Sequence, residues 1–306
     1  MSGCGAPSPD GSTELGKRQI IDQANKALTT EDCATALDLL LPVYNSANSD
    51  NEIRMMTASA YACWANINYF KVMGDMVVNA GSLSSGFFNY ASKLFPSKIG
   101  ADHVAEGSLL SQDALMATTN SGIPILPSGS INAGSYNVGS IYPFDRTDDS
   151  NLYLLFTSLA GIGSLQNRYG NPDANFHPQA KLPWSTPANV STDGCGYASS
   201  VLNFVDAINA AQNILPSGLK SSLGTVATTL ATALDQACDF GCTGGNPGLP
   251  GWQVSGCGFA SGCTTDHKCP KTLRNRNSCK AQTTDVNSCA AAGLVNMVNV
   301  SPLGWQ

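Results

Sequence analysis

Charged residues and histidines are scarce in this chain. Only 12% of its 306 residues are charged and only three are histidine, a charged share that is about half of the usual share in a soluble domain. The formal net charge is −6, and the sequence has no basic run and no basic stripe between aromatic residues. Because nucleic-acid binding requires such a phosphate-neutralising surface, these absences exclude it.

Long apolar runs are also missing from the sequence. No run reaches the roughly 18 residues that are typical of a membrane-spanning helix. Hydrophobic residues nevertheless make up 42% of the chain, so that burial can outweigh the entropy of the unfolded chain. The sequence therefore predicts a folded protein with one large core or two smaller ones.

The sequence contains no recognisable catalytic motif. The histidines, His103, His177 and His267, all lie in or near predicted turns. The segment Gly161-Ile162-Gly163-Ser164 lies inside an apolar helical pattern, which favours a packing site over a nucleophile elbow. The glycine-rich segment 242–245 lacks the lysine and the following helix of a phosphate loop. No catalytic residue and no cofactor are therefore predicted.

Two clusters contain residue types that bind metals, but neither predicts a metal site. Cys263, His267 and Cys269 have a spacing that suits a metal, but a disulfide loop beside a solvated histidine explains them more simply. The carboxylates Asp145, Asp148 and Asp149 lack the spacing of a calcium-binding loop. The last two of them are better explained as the cap of the helix that follows.

The N-terminus has a pattern of a known kind. Ser2-Gly3-Cys4 resembles the end of the signal box of bacterial lipoproteins, whose cysteine is lipidated and becomes residue one. The resemblance implies that Cys4 carries a lipid anchor and that residues 1–11 form a tether. The alternative is that Cys4 is a chance cysteine in a frayed terminus.

The number of cysteines agrees with export to an oxidising compartment. The chain has 11 cysteines, and with Cys4 set aside ten remain, an even number that could form five bridges. These ten are Cys33, Cys63, Cys195, Cys238, Cys242, Cys257, Cys263, Cys269, Cys279 and Cys289. Of the possible pairs, the sequence supports one in particular.

That pair is Cys33 with Cys63. Apolar periodicity predicts helices over 12–30, from about 30 to 44, and from 49 to about 76, with a break at 45–48. Cys33 lies 15 residues before Asn48 and Cys63 lies 15 residues after it. Two antiparallel helices joined at Asn48 would bring both cysteines to the same height, so we predict a disulfide between them.

This helical hairpin resembles tetratricopeptide-type repeats over residues 12–78. Residues 32–37 look like the second helix of one repeat, and Thr57-Ala58-Ser59-Ala60-Tyr61 looks like the first helix of the next. The usual tryptophan is missing, and Ala58 stands where glycine is common. The resemblance implies stacked antiparallel helical hairpins, an architecture that often organises other proteins in bacterial envelopes.

A β-hairpin is predicted between two of the following helices. Helices are expected at 87–95, 103–120 and 150–168. Between the last two, the segment 122–144 alternates around a Gly-Ser turn, with each arm about ten residues long. The pattern is that of a surface hairpin inserted at 122–147, and a membrane or oligomer contact is the alternative. The side chains that would make this contact are Ile131, Ala133, Tyr136 and Val138.

The C-terminal half is predicted to contain helices and a disulfide-rich module. Residues 169–196 have no periodicity and are predicted to form a long loop or linker. In the region 197–306, helices are expected at 197–215, 219–238 and 283–298. The polar face of the first two consists of Ser and Thr, which predicts contact with solvent or with another protein. From 238 to 279, disulfides would replace a hydrophobic core.

The predicted fold is mainly α, with stacked helical hairpins over 12–168, a hairpin insertion and a disulfide-rich C-terminal module. The predicted function is that of a non-enzymatic exported lipoprotein on the periplasmic or surface face of a bacterial membrane. Its partners would be other envelope proteins. The alternatives are a self-assembling ring or pore-like oligomer, and a binder or enzyme for a small solute or metal.

Overall fold

The structure is a computed structural model that describes residues 9–46, 50–116, 148–211, 214–243, 273, 276 and 286–299. Ten α-helices account for 76% of these residues, and no strand occurs among them. The prediction of a mainly α protein is therefore confirmed. None of the helices in these ranges combines the length and the apolar composition that crossing a bilayer requires.

Short connections join the first six helices to one another. Their bounds are α1 Glu14–Thr29, α2 Cys33–Tyr44, α3 Asn51–Trp64, α4 Tyr69–Val78, α5 Ala80–Leu94, α6 Val104–Leu115, α7 Asp148–Gly170, α8 Thr192–Ala211, α9 Ser217–Thr243 and α10 Val286–Asn299. A short 3-10 turn covers Pro187–Asn189. Buried apolar side chains from all ten helices form a single core cluster.

Side-chain caps determine where the first three helices begin. Thr13 accepts a hydrogen bond from the Gly16 amide at 3.0 Å, and Asp32 accepts one from the Thr35 amide at 3.2 Å. The sequence predicted that the third helix begins at 49, and the N-cap of α3 is Asp50, which accepts from the Ile53 amide at 3.0 Å. A carboxylate at this position also interacts favourably with the helix dipole.

The prediction of one helix from 49 to about 76 is wrong. The helix ends at Trp64, and Asn66 adopts a left-handed conformation with φ of 56°. The amide of Ile67 then bonds back to the carbonyl of Ala62 at 2.9 Å, which is the Schellman termination of a helix. Asn68 caps the next helix by accepting from the Lys71 amide at 3.0 Å. Apolar periodicity runs across this junction, and only the two asparagines mark it.

Helix α8 lies at the centre of the protein. Its residues from Gly194 to Ile208 are buried on every side. Over these residues the polar face therefore meets neither solvent nor another protein, which were the two contacts that the sequence predicted. Gln112 of α6 is also buried, and it donates to Ser200 of α8 at 2.9 Å and to the Thr157 carbonyl of α7 at 3.2 Å. Its carbonyl oxygen accepts from Asn203 of α8 at 3.3 Å. Polar residues of α8 therefore pair inside the core.

The loop between α7 and α8 is fixed by side chains of α10. The Asn299 side chain accepts from the Leu182 amide at 2.8 Å and donates to the Leu182 carbonyl at 3.0 Å. Asn296 donates to the carbonyl of Ser185 at 3.0 Å. Trp184 is buried in the core cluster and packs edge-on against Tyr169 with ring centroids 4.6 Å apart. The sequence predicted a loop here, but α8 already begins at Thr192.

Candidate binding groove around the Cys33–Cys63 disulfide

The predicted disulfide between Cys33 and Cys63 is present. Cys33 is the first residue of α2, and Cys63 is the last but one of α3. Their Cα atoms lie 5.6 Å apart, and 30 residues separate them along the chain. A loop of this length stabilises the folded state by about 3 kcal/mol through the entropy of the unfolded chain. Both cysteines are partly exposed, and they line an open groove.

Two similar helix ends form the ends of this groove. Helix α1 terminates with Glu31 in a left-handed conformation, φ 59°, and with a bond from the Asp32 amide to the Ala27 carbonyl at 2.9 Å. This repeats the termination of α3 at Asn66, 35 residues later. Each turn leads directly into the next helix. Glu31 and Asn66 both line the groove.

The groove has a volume of about 700 Å³, within the range of ligand sites in proteins. Its lining mixes apolar and polar side chains, with slightly more apolar than polar surface. The lining residues are Asn25, Leu28, Thr29, Glu31, Cys33, Met56, Ser59, Ala62, Cys63, Asn66, Ile67, Asn68, Tyr69, Phe70 and Tyr153. Glu31 is the one charged residue among them, so the groove is weakly acidic.

The aromatic wall of the groove has a fixed part and an exposed part. Tyr69 packs edge-on against Tyr153 at 4.9 Å and stacks on Phe156 at 5.4 Å between ring centroids. Burial, together with the neighbouring Tyr153, raises the pKa of the Tyr69 phenol well above its ordinary value, so this phenol stays neutral near pH 7. Phe70, the next residue, is 89% exposed.

The outer face of α4 extends the apolar surface beyond the groove. Val77 and Val78 are 46% and 82% exposed, and they lie seven and eight residues after Phe70, on the same side of the helix. Large apolar side chains that are grouped and exposed are typical of sites that meet another molecule. Helix α4 thus presents an apolar edge next to the groove.

The two described histidines make contacts of different kinds. His103 stacks on Trp64 with ring centroids 4.0 Å apart, and the exposed His177 lies 3.7 Å from the Asp173 carboxylate. In the described ranges no group of three His, Cys, Asp or Glu side chains could hold a metal ion. Gly161 and Gly163 lie at tight contacts between helices, as predicted for a packing site.

Several predicted site residues lie partly or wholly outside the described part of the chain. Cys195 is fully buried and disulfide-bonded. The backbones of Cys238 and Cys242 belong to α9, and that of Cys289 belongs to α10. The residues outside the described ranges are Cys4, Cys257, Cys263, Cys269, Cys279, His267, Asp145, and Ile131, Ala133, Tyr136 and Val138 of the predicted hairpin.

The sequence pointed to the disulfide but not to the groove beside it. Phe70 fell inside a helix that was predicted to be continuous, so nothing distinguished it from a core residue. The available signal was Asn66 and Asn68 on either side of Ile67, since asparagine is enriched both in left-handed helix ends and at N-caps.

No protein-family model, no curated protein and no solved structure matches this chain. Its function therefore has to be inferred from the residues of the site.

Proposed function

We propose that this protein is an exported helical scaffold that binds an apolar, weakly basic segment of a partner protein in the groove at the disulfide. The observation that carries the proposal is Phe70, which is 89% exposed and lines an open, partly apolar groove of about 700 Å³. An exposed aromatic side chain beside an apolar groove is a common energetic centre of protein interfaces.

The shape and charge of the groove favour a protein segment over a small molecule. Small ligands are usually bound in sites that bury most of their surface, whereas this groove is open, and Phe70 beside it shares a helix with the exposed Val77 and Val78. Among the described residues that line it, only Glu31 is charged. A segment with apolar side chains and a lysine or arginine would complement it.

The packing of the first helices supports the resemblance to tetratricopeptide-type repeats in part. Helices α1, α2 and α3 pack against one another, as two helices of one repeat and the first of the next would do. The departure comes at α4, because α6 rather than α4 packs along α3. The surface that a further repeat would cover is thus occupied by the chain itself, and α4 is displaced to the edge.

Export and lipid anchoring form the second part of the proposal. The Cys33–Cys63 bond and the disulfide-bonded Cys195 suit an oxidising compartment outside the cytosol. Cys4 in the Ser2-Gly3-Cys4 pattern would hold the protein at a bacterial membrane. We expect protein extracted from its own membranes to carry a diacyl or triacyl mass at Cys4, measured by intact mass spectrometry. An unlipidated protein that stays in the soluble fraction would contradict the anchor but not the groove.

The groove can be tested by photo-crosslinking in the producing cells. With a photoreactive benzoylphenylalanine in place of Phe70, we expect one discrete adduct, because a specific segment would pack on this side chain. Peptide mass spectrometry would identify the crosslinked residues, which should form an apolar segment with a basic residue. Phe70→Ala should then weaken binding of that synthetic segment at least about 30-fold, as is typical of an aromatic interface centre.

The matched control is Ile99, which is 67% exposed and does not line the groove. The same photoreactive residue at position 99 should give no adduct with this segment. Identical adduct patterns at positions 70 and 99 would show that exposure alone determines crosslinking, and the proposal would fail. An adduct with a second copy of this chain would contradict the proposed partner protein and would indicate self-assembly instead.

A further inference from the structure

A second pocket lies on the other side of the turn between α3 and α4. Its volume is about 540 Å³, and it opens between that turn, α4, the C-terminal end of α5 and the start of α6. Asn66, Ile67 and Asn68 line both this pocket and the groove. The turn is therefore a wall that the two cavities share.

Three charged side chains line this pocket in a chain that has few charges. They are Lys71 and Asp75 of α4 and Lys93 of α5. Among the described residues none of the three forms an ion pair, although Lys71 and Asp75 lie one helical turn apart. Lys93 lies over the ring of Phe176, 5.8 Å from its centroid. Two cations and one carboxylate thus face a single cavity.

The uncharged part of the pocket combines asparagine side chains with an apolar floor. Ile67, Val72 and Phe95 are buried side chains that also line the cavity. The phenol of Tyr90 on α5 donates to the Asp75 carbonyl of α4 at 2.8 Å, which fixes the two helices that carry the charges. Burial and the nearby Asp75 raise the pKa of Tyr90 to about 12, so this hydrogen-bond donor persists through the physiological pH range.

We infer that this pocket binds a zwitterionic apolar amino acid or dipeptide. Lys71 and Lys93 bind its carboxylate, Asp75 binds its ammonium group, and its apolar side chains occupy the surface formed by Ile67, Val72 and Phe95. Opposite charges on a ligand match the opposite charges of the pocket, and the apolar part gains from burial. This site is separate from the groove and does not depend on the proposed partner segment.

Three dipeptide probes test the assignment by isothermal titration calorimetry at pH 7. They are leucyl-leucine, its C-terminal amide, which lacks the carboxylate, and its N-acetyl form, which lacks the ammonium group. We expect leucyl-leucine to bind at least about tenfold more tightly than either derivative, because each derivative loses one charge-assisted contact.

Each charge-removing variant should weaken only those probes that carry the opposite charge. Lys71→Gln and Lys93→Gln should each weaken leucyl-leucine and its N-acetyl form about tenfold and leave the amide unchanged. Asp75→Asn should weaken leucyl-leucine and the amide and leave the N-acetyl form unchanged. Lys26→Gln is the matched control, since Lys26 is an exposed helical lysine that does not line the pocket.

Circular dichroism melting verifies that each variant is folded before its affinity is compared. The inference is overturned if leucyl-leucine does not bind at millimolar concentration. It is equally overturned if binding is the same in the Lys71→Gln/Lys93→Gln double variant as in the unchanged protein. A failed photo-crosslink at Phe70 would leave these results untouched, so the two proposals fail independently.

Discussion

Arg168→Met is expected to lower the free energy of unfolding by about 3 kcal/mol near pH 7. The Arg168 side chain is only 3% exposed, and its guanidinium binds both Glu106 oxygens, at 2.6 and 3.0 Å. It also donates to Ser97 at 3.0 Å and lies 3.4 Å from Asp102. Removing the cation leaves two carboxylates without their partner. The expected loss of about 3 kcal/mol lies at the low end of the range for broken buried ion pairs, because Glu106 is 49% exposed.

This loss should depend on pH. The hydrogen bond from Arg168 holds the pKa of Glu106 below its ordinary value. Burial alone would raise the pKa of Asp102, but hydrogen bonds from Ser97 and two backbone amides, with the charge of Arg168, lower it. A lowered pKa gives stability that is complete above the unfolded-state pKa, about 4, and is lost as the pH falls through the folded-state pKa. The difference between the variant and the unchanged protein should therefore narrow towards pH 3.

Urea unfolding at several pH values between 7 and 3 measures this difference. Lys17→Met is the matched control, because Lys17 pairs with Glu14 at 3.0 Å and Asp50 at 3.3 Å on a more exposed surface. Exposed ion pairs contribute little, so its effect should be much smaller. A loss for Arg168→Met that is the same at pH 7 and pH 3 would mean that Arg168 acts by packing rather than by charge.

Gly163→Ala is expected to destabilise the protein by about 3 kcal/mol, although alanine is the better helix former. A Cβ atom at this position of α7 would lie 2.1 Å from the Ala91 carbonyl oxygen and 2.6 Å from its carbon. These are backbone atoms of α5, which cannot rotate away as a side-chain end can. The two helices would have to separate, and the contacts of Phe95 and its neighbours would be lost with them.

The same substitution at Gly224 of α9 is the control, since nothing lies within 4 Å of a Cβ atom there. Gly224→Ala should stabilise the protein by up to about 1 kcal/mol through helix propensity alone. Thermal and urea unfolding of both variants give the comparison. If both substitutions stabilised the protein, α5 and α7 would not be in the close contact that the structure describes.

Local chemistry made the helices and the disulfide predictable. The caps Thr13 and Asp32 lie next to the helix starts that the sequence predicted, because a cap acts on amides of its own helix. The Cys33–Cys63 pair could be predicted because both cysteines lie the same number of residues from one chain reversal. Two antiparallel helices then place them at the same height. The mainly α class followed from apolar periodicity in the same way.

The groove and the pocket depend on how the helices pack. Periodicity ran through residues 65–68 without a break, so the sequence did not reveal that α3 ends there, that α4 leaves its side, or that α6 takes that place. Phe70 and Lys71 owe their exposure to this displacement. Likewise the uncharged face of α8 was ambiguous, since Ser and Asn side chains suit water or a buried partner equally well.

By itself, the sequence determined the helical class, most helix positions and one disulfide, because these depend on interactions between residues close in the chain or related by one reversal. Only the tertiary structure decided that α8 is central, that Gln112 completes its polar face, and that Lys71, Asp75 and Lys93 face one cavity. These outcomes depend on which helix covers which, and that choice is made by the summed packing of residues far apart in the sequence.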